Sequence, residues 1–190
     1  MFSRQDIEQR ASLYASRRGV SIEHQLGFGK DGSVFQTDLP TAVKVFARPE
    51  TYARELACHQ RLADFAVEEV RGHAVPRLVA WDHELHVIEM EIVSPPYLLD
   101  FADAWLDKAP DFSDEIIEQW HEEKQEQFGD RWNEVQLVLA FLQGEYGVFL
   151  LDINPRNITF GEREEWARAV FAVLFQTIST AMTTILSPFP

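Results

Sequence analysis

The feature that most constrains this chain is a glycine-rich segment followed closely by a short apolar strand that contains one lysine. Residues 27–34 read GFGKDGSV, with the spacing G-x-G-x-x-G-x-V, and residues 41–45 read TAVKV. Glycine has no Cβ, so its backbone can lie close to a bound group and can adopt positive φ. The lysine places one cation on a stiff strand near that turn. The pair predicts a surface that holds an anionic group, whereas the glycines alone would indicate only a hairpin turn.

The hydrophobic pattern predicts an α+β chain with two lobes. Strands are predicted over residues 22–26, 33–37 and 41–46, with a hairpin formed by residues 75–81 and 85–90. Helices are predicted over residues 3–18, 50–65, 113–128 and 130–144. Pro95 and Pro96 stand where strands stop and helices begin. We therefore expect a strand-rich lobe with a leading helix over residues 1–93, and a reduced helical lobe over residues 94–190.

Charge and cysteine content limit the classes of binding partner and the cellular location that we expect. The chain has 17 basic and 31 acidic residues, a formal net charge of −14. Nucleic acid is an unfavourable partner, because phosphate backbones need a basic surface, and an anionic membrane surface is disfavoured for the same reason. Cys58 is the one cysteine, which excludes an intramolecular disulfide and a cysteine-based zinc site. The charged N-terminus is unlike a signal peptide, so a cytoplasmic location is expected.

The C-terminal segment has a different composition from the rest of the chain. Residues 169–186 carry no charged side chain, which is close to the shortest run that can span a bilayer. Several threonines, with Gln176 and Ser179, weaken the membrane interpretation. The run predicts a buried helix or one that docks a partner or a second copy. A weak tail anchor and a non-native tail remain as alternatives.

A second motif lies far along the chain from the glycines. Residues 151–158 read LDINPRNI, which places Asp152 five residues before Asn157 with a proline between them. This D-x-x-P-x-N loop follows an apolar helix and resembles the catalytic loop of the protein-kinase-like superfamily, which includes small-molecule kinases. The glycine segment and Lys44 match the same family, in the same order along the chain. The resemblance covers about residues 20–160 and implies an antiparallel-sheet nucleotide lobe.

The resemblance implies a role for each matching residue. Gly27, Gly29 and Gly32 would cover the phosphates of ATP, and Lys44 would contact those phosphates. Glu55 would pair with Lys44. Two alternatives remain for this pair: Glu50 could be the partner of Lys44, or Glu55 could form only a surface ion pair. Asp152 would orient the acceptor hydroxyl and Asn157 would hold Mg²⁺. The remaining implied contacts lie around the adenine: Val34 and Ala42 over its faces, and the backbone of Glu91 and Val93 at its edge. Each role has a structural alternative. The glycines could form a plain hairpin turn, Lys44 could be a solvated strand residue, and Asp152 and Asn157 could cap a turn.

Departures from the family pattern bear on catalysis. Leu150 and Leu151 stand where the family has His-Arg, and no aspartate follows Asn157 to supply the D-F-G metal ligand. Glu162 is the candidate substitute for that ligand. Only 33 residues follow Asn157 (190 − 157), too few for an activation segment and a helical substrate platform.

Two functions fit these residues. The first is an ATP- and Mg²⁺-dependent transfer of the γ-phosphoryl group to an unknown hydroxyl acceptor, either a small molecule or a protein. The second is a pseudokinase, a nucleotide-binding regulatory or interaction module that transfers nothing. The six histidines show no H-x-x-x-H pair, and no Walker-type phosphate loop or G-x-S-x-G elbow is present in the sequence.

Overall fold

The computed structural model describes residues 4–101 and 103–161. They form four α-helices and nine β-strands: α1 Arg4–Arg18, β1 Ile22–Gly29, β2 Gly32–Thr37, β3 Thr41–Phe46, α2 Pro49–Asp64, β4 Glu69–Val70, β5 His73–Ala74, β6 Leu78–Asp82, β7 Val87–Glu91, β8 Ala104–Leu106, α3 Asp114–Phe128, α4 Trp132–Tyr146 and β9 Val148–Leu150. Residues 4–159 belong to one compact unit.

The main sheet has five strands in the order β1-β2-β3-β7-β6, and every neighbouring pair is antiparallel. Strand β3 is central, and all six of its residues are buried. Its sequence, TAVKVF, supplies the β-branched and aromatic side chains that suit a strand covered on both faces. The predicted α+β class with an antiparallel sheet is confirmed.

Helix α1 covers one face of this sheet. Ile7, Ala11 and Tyr14 lie in one buried cluster with apolar side chains of β2, β3 and β7. The fully buried carboxylate of Glu89 on β7 accepts hydrogen bonds from Tyr14 (2.8 Å), Thr41 (3.0 Å) and Arg18 (2.9 Å). A buried charge is tolerated only when it is paired and hydrogen-bonded, so this network fixes how α1 sits on the sheet.

Helix α2 packs against the sheet as well, through Tyr52 and Leu56, which contact Phe46 and Ile88. Pro49 begins the helix, as proline at the first helical position favours. The end of the helix is tied to the second half of the chain. Arg61 there donates two hydrogen bonds to the carboxylate of Asp107 at 2.8 and 2.9 Å, and a third to a backbone carbonyl of α4.

The second half contains α3, α4 and the small sheet β8-β9. Ser113 occupies the position before α3 with an extended backbone. Helix α4 begins two residues later than predicted, because residues 129–131 form a 3₁₀ turn, and Gly147, which has a positive φ of 65°, follows its last residue. Val135, Val138 and Leu142 of α4 are buried.

A cis peptide bond joins Pro95 and Pro96 at the crossing between the two halves. The chain that follows runs antiparallel to two later segments. Leu98 pairs with Ile158, and β8 pairs with β9. Residues 97–106 therefore lie beside both ends of the loop that contains Asp152.

No helix in the described part of the chain is both long enough and apolar enough to cross a membrane. The apolar run over residues 169–186, predicted as a terminal helix, lies outside the described residues.

Candidate functional site: an interlobe cavity around Lys44

The glycine-rich segment is a hairpin whose turn is formed by Lys30 and Asp31. Gly32 is required by the protein itself: its φ is +150°, and a Cβ there would lie 2.0 Å from the carbonyl oxygen of Val45. Gly27 and Gly29 differ, because a Cβ at either position would meet no atom within 4 Å. Both line the cavity described below, so the backbone there can be approached closely by a ligand.

Lys44 is the central cation of the site. Its Nζ lies 2.7 and 3.0 Å from the two carboxylate oxygens of Glu55 and 2.9 Å from Oδ1 of Asp100. Lys44 and Glu55 are both buried, at 8% and 1% exposure. Only 11 residues separate Lys44 from Glu55, yet the two side chains can meet. Lys44 is near the end of β3, and α2 begins three residues after the last residue of that strand. Glu50 is exposed and is not the partner.

The electrostatics favour a charged lysine. Burial alone would lower the pKa of Lys44, but the Glu55 and Asp100 carboxylates outweigh it, so that pKa is raised. Burial raises the pKa of Glu55 to about 7, which Lys44 partly opposes. Burial also lowers the pKa of the adjacent His59 to about 4, with Lys44 contributing, and keeps that ring neutral near pH 7.

These side chains line a cavity of about 490 Å³ between the sheet and the second half of the chain. This volume lies in the range of ordinary small-molecule sites. The sequence-predicted residues on its walls are Gly27, Gly29, Gly32, Val34, Ala42, Lys44, Glu55, Glu91, Val93 and Asn157. The wall also contains apolar side chains of β7 and the crossing, including Met90 and Ile92.

Asp152 lies in a different place from the one expected. Asn157 lines the cavity of Lys44, and its Nδ2 donates to the Asp152 carbonyl at 3.4 Å. The Asp152 carboxylate instead lines a second cavity, of about 530 Å³. Asp152 is therefore not among the residues that line the cavity of Lys44, and its role toward an acceptor hydroxyl stays a prediction. The reason is local: the loop turns at residues 154–157, so its two ends face neighbouring cavities.

The second cavity has aromatic walls and an acidic edge. Trp105, Phe112 and Trp120 contribute rings, while Asp103 and Asp152 contribute carboxylates. Lys30, at the tip of the glycine hairpin, reaches this edge: its Nζ lies 3.3 Å from Asp103 and 3.9 Å from Asp152. The hairpin that covers the first cavity therefore also contacts the second.

Asp100 is the residue that sequence reasoning missed. It contacts Lys44 and lines the same cavity as Asn157. The sequence does contain an Asp-Phe pair, Asp100-Phe101, like the first two residues of D-F-G. This pair precedes the loop of Asp152, whereas the family pattern places D-F-G after that loop. The proposed substitute, Glu162, lies outside the described residues. Within residues 4–101 and 103–161, no three His, Cys, Asp or Glu side chains form a group that could hold a metal ion by themselves.

Comparison with known proteins gave structural similarities only. No protein-family model matches the sequence, and no curated protein matches it. The similar solved structures include the streptomycin-ATP-APH(2'')-IIa ternary complex (12% identity, TM-score 0.41, 78% of this chain), ADP-bound aminoglycoside phosphotransferase APH(2'')-Ib (14%, 0.41, 78%) and the gentamicin-APH(2'')-IIa complex (12%, 0.42, 89%). This chain covers 41%, 41% and 50% of those chains, respectively. The geometry of the site, rather than these similarities, supports a function for this chain.

Proposed function

We propose that this chain binds ATP with Mg²⁺ and transfers its γ-phosphoryl group to a hydroxyl acceptor. One observation carries the proposal: the glycine hairpin, the Lys44–Glu55 pair and Asn157, which are far apart in the sequence, line one cavity. A buried lysine held by a carboxylate beneath a glycine-rich turn suits the phosphates of a nucleotide, because the cation offsets their charge and the turn admits them closely.

The base of the nucleotide has a suitable site at the opposite wall. Val34 and Ala42 present small apolar side chains from adjacent strands, and residues 90–93 form the edge where the chain leaves the sheet. We assign the backbone of Glu91 and Val93 to the edge of the adenine and the side chains of Val34 and Ala42 to its faces.

The donor atoms of the cavity fit a magnesium ion that is bound mainly through phosphate oxygens. Mg²⁺ takes oxygen ligands and is usually held by one or two carboxylates together with phosphates and water. The amide oxygen of Asn157 is a ligand of this class on the cavity wall. When bound, the ion would offset negative charge on the group being transferred, and Asn157 would be the side chain that holds it.

We assign the acceptor to the second cavity. Asp152 is there, and its carboxylate is half-exposed, so it can accept a hydrogen bond from a hydroxyl that enters. The size of the cavity suits a small molecule rather than a folded protein. Catalysis would come mostly from positioning and charge neutralisation, as is general for phosphoryl transfer.

The proposal is tested with the full chain, labelled ATP and Mg²⁺. We expect slow ATP hydrolysis or autophosphorylation that Asp152→Asn reduces at least tenfold, with ATP affinity little changed. Asp64→Asn, at an exposed position of α2, is the matched control and should behave as wild type. Lys44→Met should weaken ATP binding about 10- to 100-fold, because a charge-assisted contact is lost. Wild-type protein that shows no ATP-induced rise in melting temperature would contradict the proposal.

The alternative is a pseudokinase, and one observation favours it. The Asp152 carboxylate does not line the cavity that holds Lys44 and is contacted by Lys30 instead. If this arrangement persists with nucleotide bound, the chain would bind ATP without transferring phosphate. ATP binding without turnover, unaffected by Asp152→Asn, would favour this function.

A further inference from the structure

The segment 97–106 is held beside the Asp152 loop by two sets of antiparallel contacts. On one side, Tyr97 and Thr159 exchange hydrogen bonds of 3.0 Å, and Leu98 pairs with Ile158. On the other side, β8 pairs residue by residue with β9, from Ala104↔Leu150 to Leu106↔Val148. The described residues of the two connecting stretches, 99–101 with 103 and 151–157, therefore lie next to each other.

This arrangement brings Asp100 to Asn157. The amide of Leu99 donates to the carbonyl of Asn157 at 2.7 Å, so the residue before Asp100 is directly bonded to the predicted metal ligand. Both Asp100 and Asn157 line the cavity of Lys44. Leu98 and Phe101, on either side of Asp100, are fully buried and anchor the segment.

Asp100 and Glu55 both line the cavity, but the Asp100 side chain is far more exposed. Both oxygens of Glu55 bind Lys44 and the side chain is 1% exposed, but the Asp100 side chain is 38% exposed. The backbone of Asp100 has a φ of +65°, a conformation that costs energy for most residues other than glycine. The fold thus keeps an accessible carboxylate at this position through the buried neighbours on each side.

The charge balance immediately around Lys44 also favours a cation there. Glu55 and Asp100 together place two carboxylates against the single ammonium of Lys44. A bound triphosphate adds further negative charge beside Asp100. A divalent ion between that carboxylate and the phosphates would remove the repulsion, and it would need few protein ligands.

We propose that Asp100 and Asn157 together hold the divalent cation of bound ATP. Asp100 would supply the aspartate that is missing after Asn157, from a position 57 residues before it (157 − 100). In the family pattern the metal-binding aspartate follows the asparagine along the chain, whereas here the aspartate would precede it. This assignment rests on the proposed ATP binding.

The test measures ATP binding by calorimetry with the full chain, once with excess Mg²⁺ and once with EDTA, and it does not depend on turnover. For wild type we expect tighter binding with Mg²⁺. Asp100→Asn should lose at least tenfold of the affinity with Mg²⁺ and should bind at least as tightly as wild type in EDTA, because a negative charge has been removed. Asp111→Asn, at an exposed position nearby, is the control and should keep the wild-type difference.

A second variant keeps the assignment testable if Asp100→Asn proves unstable. Asp100→Cys offers a soft thiolate ligand, so Cd²⁺ should support ATP binding by this variant better than Mg²⁺ does. The native Cys58 is buried and is present in every variant. An unchanged magnesium dependence in Asp100→Asn, or a metal preference in Asp100→Cys equal to that of wild type, would overturn the assignment of Asp100 while leaving ATP binding intact. Wild-type protein that binds no ATP in either buffer would overturn both proposals.

Discussion

At the scale of single residues, the three glycines of the hairpin have different roles, although the motif treats them alike. Gly32 is fixed by the close approach of the β3 backbone, whereas Gly27 and Gly29 border open space in the cavity. The first role concerns folding and the second concerns what enters the site. Substitution separates the two.

Gly32→Ala should lower the free energy of unfolding by ~1–3 kcal/mol, because the new Cβ would force the hairpin away from Val45. Gly29→Ala should leave stability within ~0.5 kcal/mol of wild type but weaken ATP binding. Urea unfolding and ATP titration of both variants measure the two effects. Equal losses of stability would contradict this division of roles.

His59 makes stability depend on pH. It is 2% exposed, its ring lies edge-on to Phe101 at 5.2 Å, and its pKa falls from 6.5 to about 4 because of burial. Between these values the unfolded chain binds more protons than the folded one, so stability due to His59 rises with pH and is complete above about 6.5.

Replacing His59 with Gln should therefore remove ~3 kcal/mol of the increase in unfolding free energy between about pH 4 and pH 6.5. Denaturant unfolding at several pH values, with wild type and His59→Gln compared at each, measures the difference. Carboxylates common to both proteins cancel in that comparison. Parallel pH profiles would show that His59 titrates normally.

At the scale of elements, α1 depends on one buried acceptor. Tyr14→Phe removes a hydrogen bond to Glu89, whose carboxylate is fully buried. We expect a loss of ~1–2 kcal/mol in unfolding free energy. Tyr146→Phe, which keeps its ring contacts with Phe65 and Phe141, is the control and should lose less than ~0.5 kcal/mol. Similar losses in both would mean that the hydroxyl of Tyr14 contributes little.

The elements that sequence patterns predicted well are those set by neighbouring residues. Strand β3 matches the predicted bounds because its apolar run lies between a turn and a proline, and α2 differs by one residue at each end. The start of α4 was missed because a 3₁₀ turn has nearly the same local pattern as a helix.

The contact that brings Asp100 to Lys44 was beyond such patterns. It depends on Leu98 pairing with Ile158, 60 residues later (158 − 98), and no local rule gives that pairing. The Lys44–Glu55 pair was predictable as a candidate because both residues match a motif, but their distance was not. The separation of Asp152 from the Lys44 cavity likewise arises from the way a loop turns.

At the scale of the whole molecule, Arg61 joins α2 to the second half of the chain. Its guanidinium bonds to Asp107 and to the carbonyl of Tyr146, and the amide of Asp107 donates to Gly147 at 2.8 Å. Arg61→Ala should lower the unfolding free energy by ~1 kcal/mol, since the Asp107 pair is partly exposed and screened. It should also weaken ATP binding through Glu55, which is on the same helix.

Arg17→Ala is the matched control for Arg61→Ala. Arg17 also contacts two acceptors, Asp82 and Glu84, but they lie at the turn between β6 and β7 and not between α2 and the second half of the chain. Its loss should leave both stability and ATP binding close to those of wild type, because the pair is exposed and screened. Thermal unfolding and calorimetry distinguish the two variants, and an ATP affinity that is equally insensitive to both would contradict a role for the Arg61 link.

The contacts that hold α2 in place have a consequence for the Lys44–Glu55 pair. Besides Arg61 at its end, the helix is held in its middle by Arg54, which lies 5.6 Å over the ring of Trp105, and near its start by Tyr52, whose hydroxyl bonds to His83. A helix tethered at three points cannot readily swing outward to withdraw Glu55 from Lys44. Outward displacement of that helix would have to break all three tethers together, so we expect Glu55 to stay paired with Lys44 whether the cavity is empty or filled.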